Sequence, residues 1–137
     1  MILVIMGGTD SKRNAVIKDL MSLYASRVQT LTLDHIPEAS ARLERLMLEF
    51  ERPMPFRMIR IVNNPTSVVE VQWLRRQGAF FAHVYGKIGK IYAHIEIKQQ
   101  DVMVYPLPHR QSLPFHVHTP EEAVSKFMLV GRNEKVA

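Results

Sequence analysis

MILVIMGGTDSKRNAVIKDL, residues 1–20, decides how the chain is read. The run from Ile2 to Met6 is wholly apolar and stops at Gly7-Gly8, the pattern of a central parallel strand buried on both faces. Beyond the glycines, Ala15, Val16, Leu20, Leu23 and Tyr24 recur at helical spacing, while Lys12, Arg13, Lys18 and Asp19 take the opposite side. A helix is therefore expected over 11–25. Strand, glycine turn and helix in this order raise the question of whether the turn holds phosphate.

Working outward, residues 28–33 alternate and are rich in β-branched side chains, which predicts a second strand. A helix follows from about Pro37 to Phe50, with Leu43, Leu46, Met47 and Phe50 as its apolar stripe. Residues 56–62 read as a third strand and residues 63–67 as the turn after it. Ser67 and Glu70 have the spacing of a capping box, and the helix they open carries Val68, Val71 and Leu74 before Gly78 ends it. A fourth strand is expected over 79–85. Strands and helices alternating in this way call for a mostly parallel sheet covered by helices on both faces.

The C-terminal third changes pattern. Ile91, Ala93, Ile95 and Ile97 alternate with Tyr92, His94, Glu96 and Lys98, which predicts a half-buried antiparallel strand turning at 99–101 into a partner over 102–107. Thr119-Pro-Glu-Glu122 combines a cap, a first-turn proline and a capping glutamate, so a last helix is expected to about Val130, followed by a polar tail. The expected architecture is one α/β domain over residues 1–137, three-layered, with a mostly parallel sheet and a C-terminal antiparallel hairpin.

Composition sets the class. The chain has 137 residues, 47% hydrophobic and 23% charged, enough for one domain with one core. It has no cysteine, which removes disulfides and thiolate chemistry and fits a reducing, cytoplasmic setting. The apolar N-terminus lacks a basic lead-in and falls short of the roughly 20 residues of a membrane span. No membrane association is expected. The formal charge of +5 favours anionic partners; the basic residues are scattered, so charge alone does not choose among nucleotide, nucleic acid and acidic protein.

A working phosphate loop reads G-x-x-x-x-G-K-[ST]: glycines turn backbone N–H groups to the phosphates, lysine bridges the terminal phosphates and the hydroxyl holds magnesium. Aligned on Gly7, this sequence places Lys12 at the second glycine, Arg13 at the lysine and Asn14 at the hydroxyl residue. Arg13 can still pair with phosphate, and the helix N-terminus still offers its dipole. A side chain at Lys12 must accept the loop's backbone angles, and Asn14 is a poor magnesium ligand. Gly7, Gly8, Lys12, Arg13 and Asn14 are thus the candidate phosphate contacts, without efficient magnesium-dependent transfer. The plainer alternative is a strand-to-helix turn that holds nothing.

Residues 60–86, RIVNNPTSVVEVQWLRRQGAFFAHVYG, carry a resemblance. Together with the N-terminal strand, loop and helix, they resemble bacteriophage deoxynucleoside monophosphate kinases, P-loop proteins in which a strand ends in an Asp-Val-Arg-Phe-Pro-Asn-Glu type motif. The resemblance covers about half of the chain. Glu70 matches the motif glutamate, Trp73 and Leu74 follow as in that family, and Gly78 falls at the helix end. The family's aspartate falls on Asn64 and its arginine on Thr66, so both charges are lost. Loss at the loop and loss at this motif agree with each other. The resemblance implies a P-loop-kinase scaffold without its chemistry, acting by binding a host or phage protein. The alternative is a divergent deoxynucleoside monophosphate kinase or nucleotide binder, with ATP and magnesium as its cofactors. Glu70 has a sufficient explanation as a cap partner.

Other constellations are weaker. His116 and His118 share a face if extended, with His109, Glu121 or Glu122 as a third metal ligand, but His-x-His alone is a thin signal and no metal site is assigned. His83 and His94 lie in β-patterns with no nucleophile or paired carboxylate beside them. Arg57, Arg60, Arg75, Arg76, Lys87 and Lys90 lie among Trp73, Phe80, Phe81 and Tyr85, a second alternative of nucleic-acid binding set against those aromatics filling the core. A homodimer is the default assembly for a small domain.

Overall fold

The computed structural model describes residues 1–55, 57–107 and 113–136, with side chains as far as residue 131. Six strands form a single sheet: β1 (Ile2–Met6), β2 (Val28–Thr32), β3 (Ile59–Asn63), β4 (Phe80–Val84), β5 (Val102–Val104) and β6 (Val117–His118). Their order is β2-β3-β1-β4-β5-β6, and every pairing is parallel. Four helices accompany them: α1 (Asp10–Tyr24), α2 (Ala39–Glu51), α3 (Val68–Arg76) and α4 (Pro120–Val136).

The central strands are buried because they are covered twice. Leu3, Ile5, Ile59, Ile61, Ala82 and Val84 pack under α1 and α4, through Val16, Leu20, Val124 and Phe127. Val4, Met6, Val62 and Phe81 pack on the other face against Leu46 of α2 and Val71 and Leu74 of α3. Successive side chains of one strand thus feed two cores, which is why β1 is continuously apolar instead of alternating. Passage from β1 to β2 runs under one face and the return through β3 to β4 under the other, so β1 and β3 lie at a reversal of winding. Ligands of open α/β sheets bind at the carboxyl ends of such strands.

The helix starts follow the capping chemistry. Thr9 Oγ1 accepts from the Lys12 backbone N–H at 3.2 Å. Thr119 and Glu122 form a full reciprocal box: the Thr119 N–H donates to Glu122 at 2.9 Å and the Glu122 N–H to Thr119 Oγ1 at 3.2 Å.

The expected antiparallel hairpin is corrected. Residues 90–93 form a short 3-10 turn (Lys90–Ala93), and β5 runs parallel to β4. The alternation of Ile91, Ala93, Ile95 and Ile97 misled because the inward-facing residues are Ile91, Tyr92 and Ile95, while Ala93 and Ile97 are exposed. That spacing is helical, and the segment serves as an irregular crossover over the α2–α3 face. A second correction concerns the tail: α4 runs to Val136, past the expected stop at Val130. The first residue of the expected third strand, Phe56, lies outside the described residues. Among the described residues no helix is long and apolar enough to cross a membrane.

Candidate functional site

Three connections meet at the carboxyl ends of the strands, and each is organised around an arginine. After β1 the chain makes a two-glycine turn, Gly7 at φ 83° and Gly8 at φ 62°, and α1 begins at Asp10. Positive φ favours glycine at both positions, and space forbids a side chain as well. A Cβ on Gly7 would sit 2.8 Å from the Tyr92 hydroxyl, and one on Gly8 2.7 Å from Val84 Cγ1. The turn is thus shorter than the loop of the G-x-x-x-x-G-K-[ST] motif, whose middle residues here already belong to the first turn of α1.

Arg13 folds back onto this turn. Its Nη1 donates to the Gly7 carbonyl at 2.8 Å and the Gly8 carbonyl at 3.2 Å, and its Nη2 pairs with Asp10. Burial holds the guanidinium below its ordinary pKa, against the pull of Asp34 and Tyr92. The Gly8 N–H, which a phosphate loop would present to its ligand, donates to the Lys87 carbonyl at 3.0 Å. Lys12 is exposed and lies over the Tyr105 ring at 5.1 Å. Asn14 is exposed on α1.

Asn64, Thr66 and Glu70 belong to the second connection. Glu70 is fully buried and pairs with the equally buried Arg42 of α2, Nε to Oε1 at 2.9 Å. Its other oxygen accepts from the Ser67 hydroxyl at 2.6 Å and the Thr66 N–H at 3.3 Å. Arg42 also donates to the carbonyls of Leu33, Ile36 and Asn64. Asn64 takes φ 55° and its N–H donates to the Ile5 carbonyl at 2.8 Å. This network ties the loops after β2 and β3 together and leaves Glu70 no capacity for a ligand. Asn63, the last residue of β3, is buried, and its Oδ1 is the one buried side-chain polar atom without a partner among the described residues.

The third connection holds a network that sequence reading missed. His83 of β4 is buried; its Nε2 lies 2.8 Å from Asp101 Oδ2 and its Nδ1 2.7 Å from the Tyr92 hydroxyl. Arg75 of α3 clamps Asp101 with two bonds of 2.6 Å and lies 3.8 Å over the Phe81 ring. Burial pushes the Asp101 pKa up, but bonds from Arg75, His83 and the Lys98 N–H outweigh it and hold the carboxyl below its ordinary value. Burial, with the Asp101 charge beside it, pushes the Tyr92 phenol up. An ionised Asp101 only accepts, so His83 Nε2 carries a proton; in the neutral ring Nδ1 is then an acceptor and the Tyr92 O–H donates to it.

Beside this network, at the ends of β1 and β4, opens a cavity of about 460 Å³. Ile88, Ile95, Ile97 and Met103 give it apolar walls, Gly7, His83 and Tyr92 line it as well, and Lys87 brings a cation. Volume and chemistry are those of a small-molecule site. Tyr92 lies 9 residues and Asp101 18 residues from His83 in sequence, and the crossover that replaced the expected hairpin brings them together. The Asp101 signal lay in the QQD stretch read as a turn.

The remaining candidates lie apart. His116 sits edge-on to Tyr85 and to Phe115, and His109 lies outside the described residues. Among the described residues there is no group of three His, Cys, Asp or Glu that could hold a metal ion. Arg60 is buried over the Phe50 ring, and Trp73 packs on Phe50 at 4.9 Å. No protein-family model, curated protein or solved structure matches this chain.

Proposed function

We propose that this chain is a P-loop-kinase-like protein of bacteriophage type that acts by binding and does not transfer phosphate, with a host or phage protein as its partner. The observation that carries the reading is Arg13. The residue aligned with the phosphate-loop lysine spends its donors on the carbonyls of Gly7 and Gly8 and on Asp10, and a nucleotide would have to break those bonds to use it. At the positions of the family's charged pair, Asn64 meets the Arg42–Glu70 network through its backbone carbonyl and Thr66 through its N–H and hydroxyl. The parallel sheet and the strand, glycine turn and helix at its start support the scaffold part of the reading. Exposed Leu107 and Phe115, which do not line the cavity, support an apolar contact with a partner.

The test is a coupled phosphoryl-transfer assay with Mg-ATP and each deoxynucleoside monophosphate, run on the native chain and on Arg13→Ala. The reading expects no turnover above background in either. Turnover by the native chain that Arg13→Ala abolishes would establish the kinase alternative instead.

A further inference from the structure

We infer that the cavity beside His83 and Tyr92 binds a small organic carboxylate with an apolar body. The proposal goes beyond the reading of the phosphate loop and does not depend on it.

The apolar walls set the body of the ligand. Ile88, Ile95, Ile97 and Met103 present hydrocarbon, and Ile88 and Ile97 are largely exposed; an apolar group bound there removes both surfaces from water. The charge balance sets its polar end. Lys87 is exposed at the rim and its ammonium has no partner among the described residues. Among the described residues no carboxylate lines the cavity. Asp101, in contact with the lining His83, has its oxygens taken by Arg75, His83 and the Lys98 N–H. An anionic end therefore meets the Lys87 ammonium and, among the described residues, no carboxylate in the lining.

The test uses octanoate, with 1-octanol as the uncharged control, on the full chain by isothermal titration calorimetry. Octanoate should bind saturably, and more tightly than 1-octanol. Lys87→Met, an exposed change that leaves the core intact, should weaken octanoate and leave octanol unchanged. No saturable octanoate binding, octanol binding as tightly as octanoate, or octanoate binding by Lys87→Met as tight as by the native chain would each overturn the inference.

Discussion

Glu70 lies fully buried between Arg42 and the hydroxyls of Thr66 and Ser67, and what its loss costs depends on what is left behind. Glu70→Leu strands a guanidinium in the core and should cost about 3–5 kcal/mol in urea unfolding. Buried pairs are often replaced by apolar residues at little cost, but Arg42 also serves the carbonyls of Ile36 and Asn64. The double variant Arg42→Met/Glu70→Leu should therefore remain destabilised relative to the native chain. Tyr92 gives a prediction with a pH sign. Its pKa is raised by burial and by Asp101, so the fold favours the neutral phenol. Its contribution is complete below the ordinary phenol pKa of about 10 and is lost as pH rises above it. Urea midpoints measured at about pH 9 and 11 should fall more steeply for the native chain than for Tyr92→Phe; parallel slopes would contradict the burial of this hydroxyl. Neither network was fully legible in the sequence. Glu70 was readable as a cap residue from its spacing to Ser67, whereas its partner Arg42 lies 28 residues away, beyond the reach of any local pattern.

The helix caps and the glycine turn show how far local chemistry reaches at the scale of elements. Thr119→Ala removes an exposed box that bonds only within its own helix end, and should cost about 1 kcal/mol. Gly8→Ala should cost more, because it must hold φ 62° and bring a methyl within 2.7 Å of Val84 Cγ1. Both are measurable by thermal unfolding, and equal effects would argue against a turn held tightly on β4. The four helices and first four strands were legible because their signals are local: apolar runs for doubly covered strands, helical spacing for α1 and α3, capping spacing at Ser67 and Thr119. The link between β4 and β5 was not. Its alternating isoleucines satisfy a strand pattern, and the choice between a hairpin and a parallel crossover was made by tertiary contacts of Ile91, Tyr92 and Ile95 with the α2–α3 face. The cavity is formed by that segment, so it was hidden for the same reason.

Across the whole molecule, four arginines are withdrawn from the surface: Arg13, Arg42 and Arg60 are buried and Arg75 is clamped to Asp101, so these four are not offered to nucleic acid or phosphate. Arg13 and Arg42 close the loops at the carboxyl ends of the strands, where an α/β protein of this winding would receive a nucleotide. What stays open there is the cavity beside Tyr92, walled mainly by hydrocarbon. The account thus rests on a glycine turn that is internally satisfied, its Gly8 N–H given to Lys87 and its carbonyls to Arg13. The most direct measurement is a titration of the isotope-labelled chain with Mg-ATP, following the backbone amide resonances of residues 7–13. The account predicts that these amides stay in place at millimolar nucleotide. A saturable shift centred on Gly8 and Arg13 would contradict it, by showing that the turn opens to take phosphate.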